Sequence, residues 1–232
     1  MQLPKAMLFD MGDTLIHEQR PDFRAGTERL ISLAHNPRQV ASEEVLGYAA
    51  ELGECLLAGR DSSLMEFSCI GFHNLLFHRF GMTFNLSPAQ VETEFRRTAF
   101  HSTLAPGIDN VLRHFNAQGV RCAVLSNAIF LAATLEAELM ELGLRPYFEF
   151  VMSSAEYCLR KPHPLLFRTA VGRLGLSAQD VWYAGDHWDC DMLGAASIGM
   201  PTLWYNSAGK QCPDGLRPTL EISSWTRYLE ML

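Results

Sequence analysis

Three polar residues stand where short apolar runs of the chain end, and side chains of these types can bind a divalent cation and an anion. Asp10 follows the apolar run at residues 6–9, and Ser126 and Asp186 follow similar runs further along the chain. Such short runs are typical of buried strands. Ligands of open α/β sheets bind beyond the carboxyl ends of the strands. The three side chains are therefore predicted to meet at one edge of a sheet.

The elements that must position these residues alternate between strands and helices. Apolar runs predict strands at residues 6–9, 120–125, 148–152, 181–184 and 202–205. Apolar spacing between the later strands predicts helices at residues 107–118, 129–142, 164–174 and 190–198. A glycine directly follows each of these helical patterns, as helix C-caps often require. Strands alternating with helices predict an α/β fold, in which a parallel, Rossmann-like sheet carries helices on both faces.

The stretch from residue 17 to 104 breaks this alternation, because it contains no convincing buried strand. Apolar spacing there predicts helices at residues 22–34, 42–57, 62–80 and 87–100. Ser42 and the pair Ser87-Pro88 are typical helix starts. We therefore predict two domains: a small all-helical cap domain, inserted into an α/β core. The cap would comprise residues 17–104, and the core residues 1–16 and 105–232.

Composition and charge argue against several classes of function. Of the 232 residues, 48% are apolar and 19% are charged, which is ordinary for a globular protein with a sizeable core. The net charge of −7 repels nucleic-acid backbones and anionic lipid. We therefore expect neither nucleic acid nor a membrane as a partner. No apolar stretch approaches the roughly 18 residues of a membrane span.

Cysteine usage predicts a reducing environment. The six cysteines are scattered, without a C-x-x-C pair or a zinc-like spacing. The apolar run at residues 6–9 is too short for a signal peptide, because Asp10 and Asp13 interrupt it. These features predict free, mostly buried thiols and a cytoplasmic location.

Four blocks of the sequence, in order, resemble the motifs of the haloacid dehalogenase superfamily, and in particular its phosphatase-like members with a helical cap after the first motif. The blocks are Leu-Phe-Asp-Met-Gly-Asp-Thr-Leu at 8–15, Val-Leu-Ser-Asn at 124–127, Arg-Lys-Pro-His-Pro at 160–164, and the stretch at 184–195 that begins Ala-Gly-Asp. Three of the blocks fall at predicted strand ends. The resemblance covers the α/β core and implies a hydrolase that acts on a small phosphorylated substrate.

The resemblance implies covalent catalysis by Asp10, whose carboxylate would attack phosphorus and form an aspartyl-phosphate that water later hydrolyses. It also implies Mg²⁺ as the cofactor, bound by Asp10, by the backbone carbonyl of Gly12 and by Asp186. Asp191 would be an outer carboxylate of the metal site that orients metal-bound water. All of these ligands are oxygen atoms, as Mg²⁺ prefers.

Lys161 and Ser126 complete the catalytic set that the resemblance implies. Lys161 would neutralise phosphoryl oxygens and steady Asp10, while Ser126 and nearby backbone N–H groups would hold another phosphoryl oxygen. The chain has only three lysines, at positions 5, 161 and 210, which makes a chance placement inside the motif less plausible.

Candidate substrate-binding residues flank these motifs. Asn127 follows Ser126, His187 follows Asp186, and His17 stands at the predicted hinge between core and cap. Four phenylalanines of the helical stretch are interpreted as cap core rather than as an aromatic substrate site: Phe67, Phe72, Phe77 and Phe80.

The resemblance fails at Gly12. Phosphatases of the superfamily usually carry a second Asp there, which protonates the leaving group and then activates water, and such a group is worth about 10²–10⁴ in rate. Three explanations stay open. Gly12 could permit a bulge that lets Asp13 take over, with His17 as another candidate proton donor. The substrate could carry a good leaving group, such as an acyl or aryl phosphate. Alternatively, turnover could be slow, which would leave a phosphate-binding or regulatory protein.

Two other reactions of the superfamily dispense with that second Asp. Phosphonate-cleaving members use a cap lysine, and residues 17–104 contain no lysine. Haloacid dehalogenases work without metal and lack an Asp at the position of Asp186, which is present here. The leading hypothesis is therefore a Mg²⁺-dependent phosphohydrolase. A catalytically weak phosphate-binding protein comes second, and a haloacid dehalogenase third.

Overall fold

Strands and helices alternate in the second half of the chain, whereas helices dominate residues 23–99. A computed structural model describes residues 3–215 and 217–232. The strands are β1 (Ala6–Phe9), β2 (Ile16–Glu18), β3 (Ser102–Leu104), β4 (Arg121–Ser126), β5 (Val151–Ser153), β6 (Val181–Gly185), β7 (Thr202–Tyr205) and β8 (Leu220–Ile222). The helices are α1 (Phe23–Leu33), α2 (Ser42–Leu57), α3 (Arg60–Ser63), α4 (Cys69–Arg79), α5 (Pro88–Ala99), α6 (Ile108–Ala117), α7 (Ala132–Glu141), α8 (Pro164–Leu174), α9 (Leu193–Ala196) and α10 (Trp225–Leu229).

Burial along β1 requires packing on both faces of the sheet. Met7 and Phe9 belong to one buried apolar cluster, and Ala6 and Leu8 belong to a second. Successive side chains of a strand point to opposite faces, so both faces of β1 are covered. Helices α6, α7 and α10 contribute to the first cluster, while α8 and α9 contribute to the second.

The described residues form one six-stranded sheet, in the order β5-β4-β1-β6-β7-β8, and all of its strand pairs are parallel. This confirms the predicted α/β fold with a Rossmann-like sheet and helices on both faces. Strand β1 lies in the interior of the sheet, between β4 and β6. The carboxyl ends of these three strands therefore lie side by side.

Helices α1–α5, which we call the helical segment, lie between β2 and β3. The first apolar cluster continues from the sheet into this segment through residues such as Leu30, Val45 and Phe95. The division of the chain into a core and a cap at residues 17 and 104 stays a prediction.

Several predicted elements differ from the observed ones. The predicted helix at 62–80 is interrupted after α3, because the connecting residues pair with another part of the chain. The Glu66 N–H donates to the Cys158 carbonyl at 3.3 Å, and the Arg160 N–H donates to the Leu64 carbonyl at 3.0 Å. Ser68 then starts α4 by accepting a hydrogen bond from the Gly71 N–H. Tertiary pairing has overridden local helix propensity here.

Short strands account for most of the other differences. Strands β2 and β3 form an antiparallel pair at the two ends of the helical segment, where we predicted no strand. Strand β8 was also missed, and β5 begins three residues later than predicted. The predicted helix at 190–198 begins instead as a π-helical turn at Trp188–Met192 and continues as α9.

No helix in residues 3–215 and 217–232 is long and apolar enough to cross a membrane. The prediction of mostly buried thiols is wrong. Cys69 and Cys122 are buried, but Cys55 and Cys158 are exposed.

Candidate active site

The predicted strand-end residues meet at one cavity. Phe9 pairs with Val124 of β4 and with Ala184 of β6, and the Asp10 N–H donates to the Ala184 carbonyl at 2.8 Å. This register places Asp10 between the ends of β4 and β6. Asp10, Ser126 and Asp186 all line a cavity of about 1240 Å³. The sheet thus delivers a hydroxyl and two carboxylates to one space.

Lys161 is the centre of a buried hydrogen-bond network just before α8. Its Nζ donates to Asp10 Oδ1 at 2.6 Å, to Asp191 Oδ1 at 2.7 Å and to the Tyr183 hydroxyl at 2.8 Å. The side chain is only 2% exposed. A buried ammonium is tolerated when carboxylates pair with it and hydrogen bonds satisfy all of its protons. All three protons of Lys161 have such a partner.

The carboxylates at this end of the cavity crowd one another. Burial raises the pKa of Asp10 to about 7, with Lys161 opposing this rise and Asp191 adding to it. Burial also raises the pKa of Asp186 to about 6, and the Asp191 and Asp13 carboxylates add to that rise. Burial lowers the pKa of Lys161, but Asp10 and Asp191 more than offset this, so its pKa lies above the ordinary value.

The same carboxylates form an oxygen-donor set that suits a divalent cation. Oxygens of Asp10, Asp186 and Asp191 lie within 4.8 Å of one another. When ionised, these three carboxylates and the single Lys161 ammonium leave an excess of two negative charges. A hard cation such as Mg²⁺ binds oxygen ligands and would relieve this repulsion. The residues present therefore fit such an ion.

Asp191 is held more tightly than its partners. Its Oδ1 accepts a hydrogen bond from Lys161 and lies 3.2 Å from the Tyr183 hydroxyl, and its Oδ2 accepts one from the His187 N–H at 3.0 Å. Both oxygens are thus engaged by protein groups. A Cβ at Gly185 would lie 2.4 Å from Asp191 Oδ2, so this approach requires glycine.

Tyr183 is a member of the network that sequence reasoning missed. Its hydroxyl accepts a hydrogen bond from Lys161 and lies 3.0 Å from the Leu125 carbonyl, to which it can donate. The available signal was a tyrosine inside an apolar strand, three residues before Asp186. A buried tyrosine usually finds a polar partner for its hydroxyl, but the sequence does not say which one.

Asn127 lies in the cavity wall, but its amide already has two protein partners. Its Oδ1 accepts from the Lys161 N–H at 2.7 Å, and its Nδ2 donates to the Lys161 carbonyl at 3.0 Å. This two-point contact fixes the backbone that carries Lys161. The geometry thus gives Asn127 a positioning task beside its predicted contact with substrate.

The predicted histidines lie in different places. His187 lines the cavity, and its Nδ1 accepts from the Cys190 N–H at 3.3 Å. His17 is not among the residues that line this cavity in the described part of the chain. Its Nδ1 lies 3.7 Å from Asp13 Oδ1. His17 thus lies beside a residue of the cavity wall rather than in the wall itself.

The first motif has a backbone that differs from the bulge at Gly12 considered as one explanation. The left-handed conformation falls on Asp13, with φ of 52°, and not on Gly12. The Asp13 side chain lines the cavity but is 66% exposed. A Cβ at Gly12 would meet only Glu18, at 3.8 Å from Oε2, which is ordinary contact. Glycine is therefore not needed at position 12 for conformational or steric reasons.

The cavity continues from the charged end toward the helical segment. Phe67 and Phe72 line this continuation, whereas Phe77 and Phe80 are buried in the apolar core. The interpretation of all four as cap core is therefore wrong for Phe67, whereas Phe72 both packs against the apolar core and lines the cavity. Their side chains are half-buried because they face the cavity.

Ion pairs and a hydrogen bond join the helical segment to β2, to α7 and to the residue after β5, and sequence reasoning missed them. Buried Arg96 of α5 binds Glu18 of β2, and it binds Glu138 of α7 at 2.7 Å. In addition, Glu66 accepts from the Ser154 hydroxyl at 3.0 Å and from Arg60 at 3.4 Å. These contacts fix the helical segment over the strand ends.

Comparison with known proteins identifies relatives of this chain. A profile of the haloacid dehalogenase-like hydrolases matches residues 77–205. The glyceraldehyde 3-phosphate phosphatase of Methanocaldococcus jannaschii is 24% identical over 214 residues, which cover 86% of this chain and 83% of that protein.

Solved structures share the fold over nearly the whole chain. A HAD phosphatase from Thermococcus onnurineus has a TM-score of 0.64 at 19% identity, covering 97% of this chain and 96% of its own. A 2-haloacid dehalogenase from Pseudomonas syringae pv. Tomato DC3000 has a TM-score of 0.67 at 20% identity, covering 98% and 97%. One fold thus accompanies both names, and the chemistry must be argued from the site.

Proposed function

Because the chain belongs to the haloacid dehalogenase-like hydrolase family, we propose that it is a Mg²⁺-dependent phosphohydrolase that attacks a small phosphorylated metabolite through Asp10. The observation that carries the proposal is the placement of Lys161 against Asp10 and Asp191, with Asp186 sharing the same space. An ammonium and a cation site on either side of one carboxylate can hold a phosphoryl group for attack.

Three ligand residues and one supporting residue would form the metal site. Asp10, Asp186 and the carbonyl of Gly12 would supply oxygen ligands, and Asp191 would orient the site from behind. Asp191 suits that supporting role because both of its oxygens already accept hydrogen bonds from protein groups. Bound Mg²⁺ would neutralise charge on the carboxylates and on the phosphoryl oxygens.

The chain's own residues perform the two chemical steps. A carboxylate oxygen of Asp10 bonds to phosphorus while the bond from phosphorus to the leaving-group oxygen breaks. Water then attacks the phosphorus of phospho-Asp10, which releases phosphate and restores the carboxylate. Lys161 supplies positive charge beside the reacting oxygen throughout, and Ser126 at the end of β4 donates to a phosphoryl oxygen.

Gly12 limits which esters react well. Without a second Asp to protonate it, the leaving group must depart as a stable anion. Acyl and aryl phosphates should therefore turn over faster than alkyl phosphates. Phospho-Asp10 should also persist long enough to be trapped, since the group that would activate water is the same missing one.

Phosphate release from acetyl phosphate and p-nitrophenyl phosphate, with Mg²⁺ and with chelator, tests the proposal. We expect release that depends on Mg²⁺ and falls at least about 10³-fold in Asp10→Asn. Rapid quench followed by mass spectrometry should find phosphate on Asp10.

Other outcomes would point elsewhere. Full activity in Asp10→Asn would contradict the proposal. Binding of phosphate esters without turnover would favour a regulatory protein. Halide release from 2-chloropropionate that persists in chelator would favour a dehalogenase.

A further inference from the structure

The cavity above the sheet has a second end whose wall is aromatic. Beyond Asp10 and Lys161 it extends under α1, α2, α4 and α5. Six phenylalanines line this part, which we call the apolar chamber: Phe23, Phe67, Phe72, Phe95, Phe100 and Phe130. Aliphatic side chains complete the wall, among them Leu46 and Leu57 of α2.

The size of the cavity exceeds what a small polar phosphate needs. Its volume is about 1240 Å³. Pockets that bury drug-sized ligands measure roughly 300–1,000 Å³. A phosphoryl group at the charged end would leave most of the cavity empty, so the ester group must be large or the space must close.

Exposure in the chamber is unusual for side chains of this kind. Phe23 is 55% exposed and Leu57 is 52% exposed, although both lie in the cavity wall. Large apolar side chains gathered around one concavity mark a binding surface, whereas single exposed ones do not.

The charges around the chamber argue against a second anionic group on the substrate. Each arginine among the described residues of the cavity wall already has a carboxylate partner. Arg24 pairs with Glu43 at 2.6 Å, Arg96 with Glu138 at 2.7 Å, and Arg160 with Asp61 at 3.0 Å. The remaining one, Arg60, pairs with Glu66.

Negative charge reinforces that conclusion. Glu18 and Glu54 also line the cavity. Arg96 neutralises Glu18, whereas the Glu54 carboxylate would repel a carboxylate or a second phosphate on the ligand. Lys161 is also paired with carboxylates, but it differs from these arginines because it lies beside the three carboxylates that suit a divalent cation, and the phosphoryl group belongs there.

We propose that the apolar chamber binds the ester group of the substrate, and that the substrate class is phosphate monoesters of bulky phenols. This inference rests on the phosphohydrolase activity proposed above. The phosphoryl group binds at the charged end, and the uncharged body of the ester packs against the phenylalanines. Each methylene that becomes buried there contributes up to about fourfold in affinity.

A series of 4-alkylphenyl phosphates, from phenyl to 4-butylphenyl, tests this. The alkyl group lengthens while the acidity of the phenol leaving group stays nearly constant. We expect kcat/KM to rise about two- to fourfold per methylene. Calorimetric titration of the same esters into Asp10→Asn should give the same increments in Kd, and it measures the chamber even when no ester turns over.

Two glycines of α2 offer matched variants. Gly53 lines the cavity and Gly47 does not, and a Cβ at either position meets nothing within 4 Å. Gly53→Trp should fill the chamber and lower kcat/KM for 4-butylphenyl phosphate at least tenfold more than kcat/KM for acetyl phosphate. Gly47→Trp should change neither substrate, and circular dichroism checks that both variants fold.

The outcomes separate the two proposals. Phosphate release with no dependence on alkyl length would overturn the chamber assignment and leave the phosphohydrolase intact. Increments in Kd without turnover would support the chamber and contradict the phosphohydrolase. Equal losses in Gly47→Trp and Gly53→Trp would also count against the chamber.

Discussion

The two ends of the cavity are stabilised by different physical interactions. At the charged end, Lys161 is held by Asp10, Asp191 and Tyr183 through hydrogen bonds of 2.6–2.8 Å. In the apolar chamber, the phenylalanine rings contact one another through packing, as between Phe100 and Phe130 at 5.2 Å between centroids. Hydrogen bonds to buried charges are directional, whereas apolar contacts depend mainly on buried area.

This difference predicts how each end of the cavity responds to substitution of its side chains. A buried charge that loses its partner is left uncompensated, and few other side chains could replace that partner. Apolar side chains of similar volume can substitute for one another with modest cost. Substitutions at the charged end should therefore lower both stability and activity. Substitutions in the chamber should change substrate selectivity with little effect on stability.

Lys161→Ala should give the largest effect on both stability and turnover. Removing the ammonium leaves Asp10 and Asp191 buried without their cation, which should lower the free energy of unfolding by about 3–5 kcal/mol. Turnover of acetyl phosphate should fall at least about 10³-fold. Urea unfolding and phosphate release measure the two effects.

Lys5 provides the matched control for that variant. Its Nζ also pairs with a carboxylate, Asp180, at 3.1 Å, but the lysine side chain is 66% exposed. Exposed ion pairs contribute little to stability. Lys5→Ala should therefore leave unfolding and turnover nearly unchanged. Equal destabilisation by the two variants would break the comparison between buried and exposed charge.

Gly12→Asp should give the next largest effect, and it acts on activity alone. A Cβ at Gly12 meets only the Glu18 carboxyl group, at 3.8 and 3.9 Å, so the fold can accept the side chain. An added acid–base group should raise turnover of an alkyl phosphate about 10²-fold, because a poor leaving group needs its proton. Turnover of acetyl phosphate should rise much less. The measurement is phosphate release from both esters.

Gly12→Asn is the control, since it has the same shape and cannot transfer the proton. Two further variants ask whether a neighbouring carboxyl group replaces the missing Asp. Asp13 is largely exposed and Glu18 is ion-paired with Arg96, so neither is expected to do so. Asp13→Asn and Glu18→Gln should therefore lower turnover only slightly. A large loss in either variant would assign the acid–base task to that residue.

The charged end was largely predictable from the sequence, because the carboxyl ends of parallel strands meet. Asp10, Ser126 and Asp186 each end a recognisable apolar run, and Lys161 stands in a motif. Their convergence at one cavity follows from the strand order. Tyr183 was not predictable in the same way, because an apolar strand does not reveal what a core hydroxyl touches.

The chamber escaped prediction for a related reason. Helical spacing shows that Phe67, Phe72 and Phe77 are apolar residues of the helical segment, but not which of them faces a cavity. That depends on how α3 and α4 separate, and the separation is fixed by pairing of residues 64–66 with residues 158–160. Contacts so distant in sequence leave no local pattern.

The smallest effect we predict concerns pH and the apolar core behind the chamber. His73 of α4 is buried beside the rings of Phe77 and Phe95, and its ring lies 3.6 Å from Cys69 Sγ. Burial lowers the pKa of His73 to about 4, from an ordinary 6.5. The helical segment thus keeps its buried histidine neutral, whereas the charged end of the cavity holds ionised side chains together.

The direction of the pH effect follows from the two states of the chain. Between pH 6.5 and 4, the unfolded chain binds a proton at His73 that the folded chain does not. The stability from neutral His73 is therefore complete above pH 6.5 and is lost as the pH falls toward 4. Between pH 7 and 5 the free energy of unfolding should fall by about 2 kcal/mol through this group.

In His73→Leu that part of the loss in the free energy of unfolding should vanish. His78, exposed on the same helix, is the control, and His78→Leu should keep the full pH dependence in urea unfolding. An unchanged pH dependence in His73→Leu would mean that the helical segment tolerates a buried charge, and that the two ends of the cavity differ less than their side chains suggest.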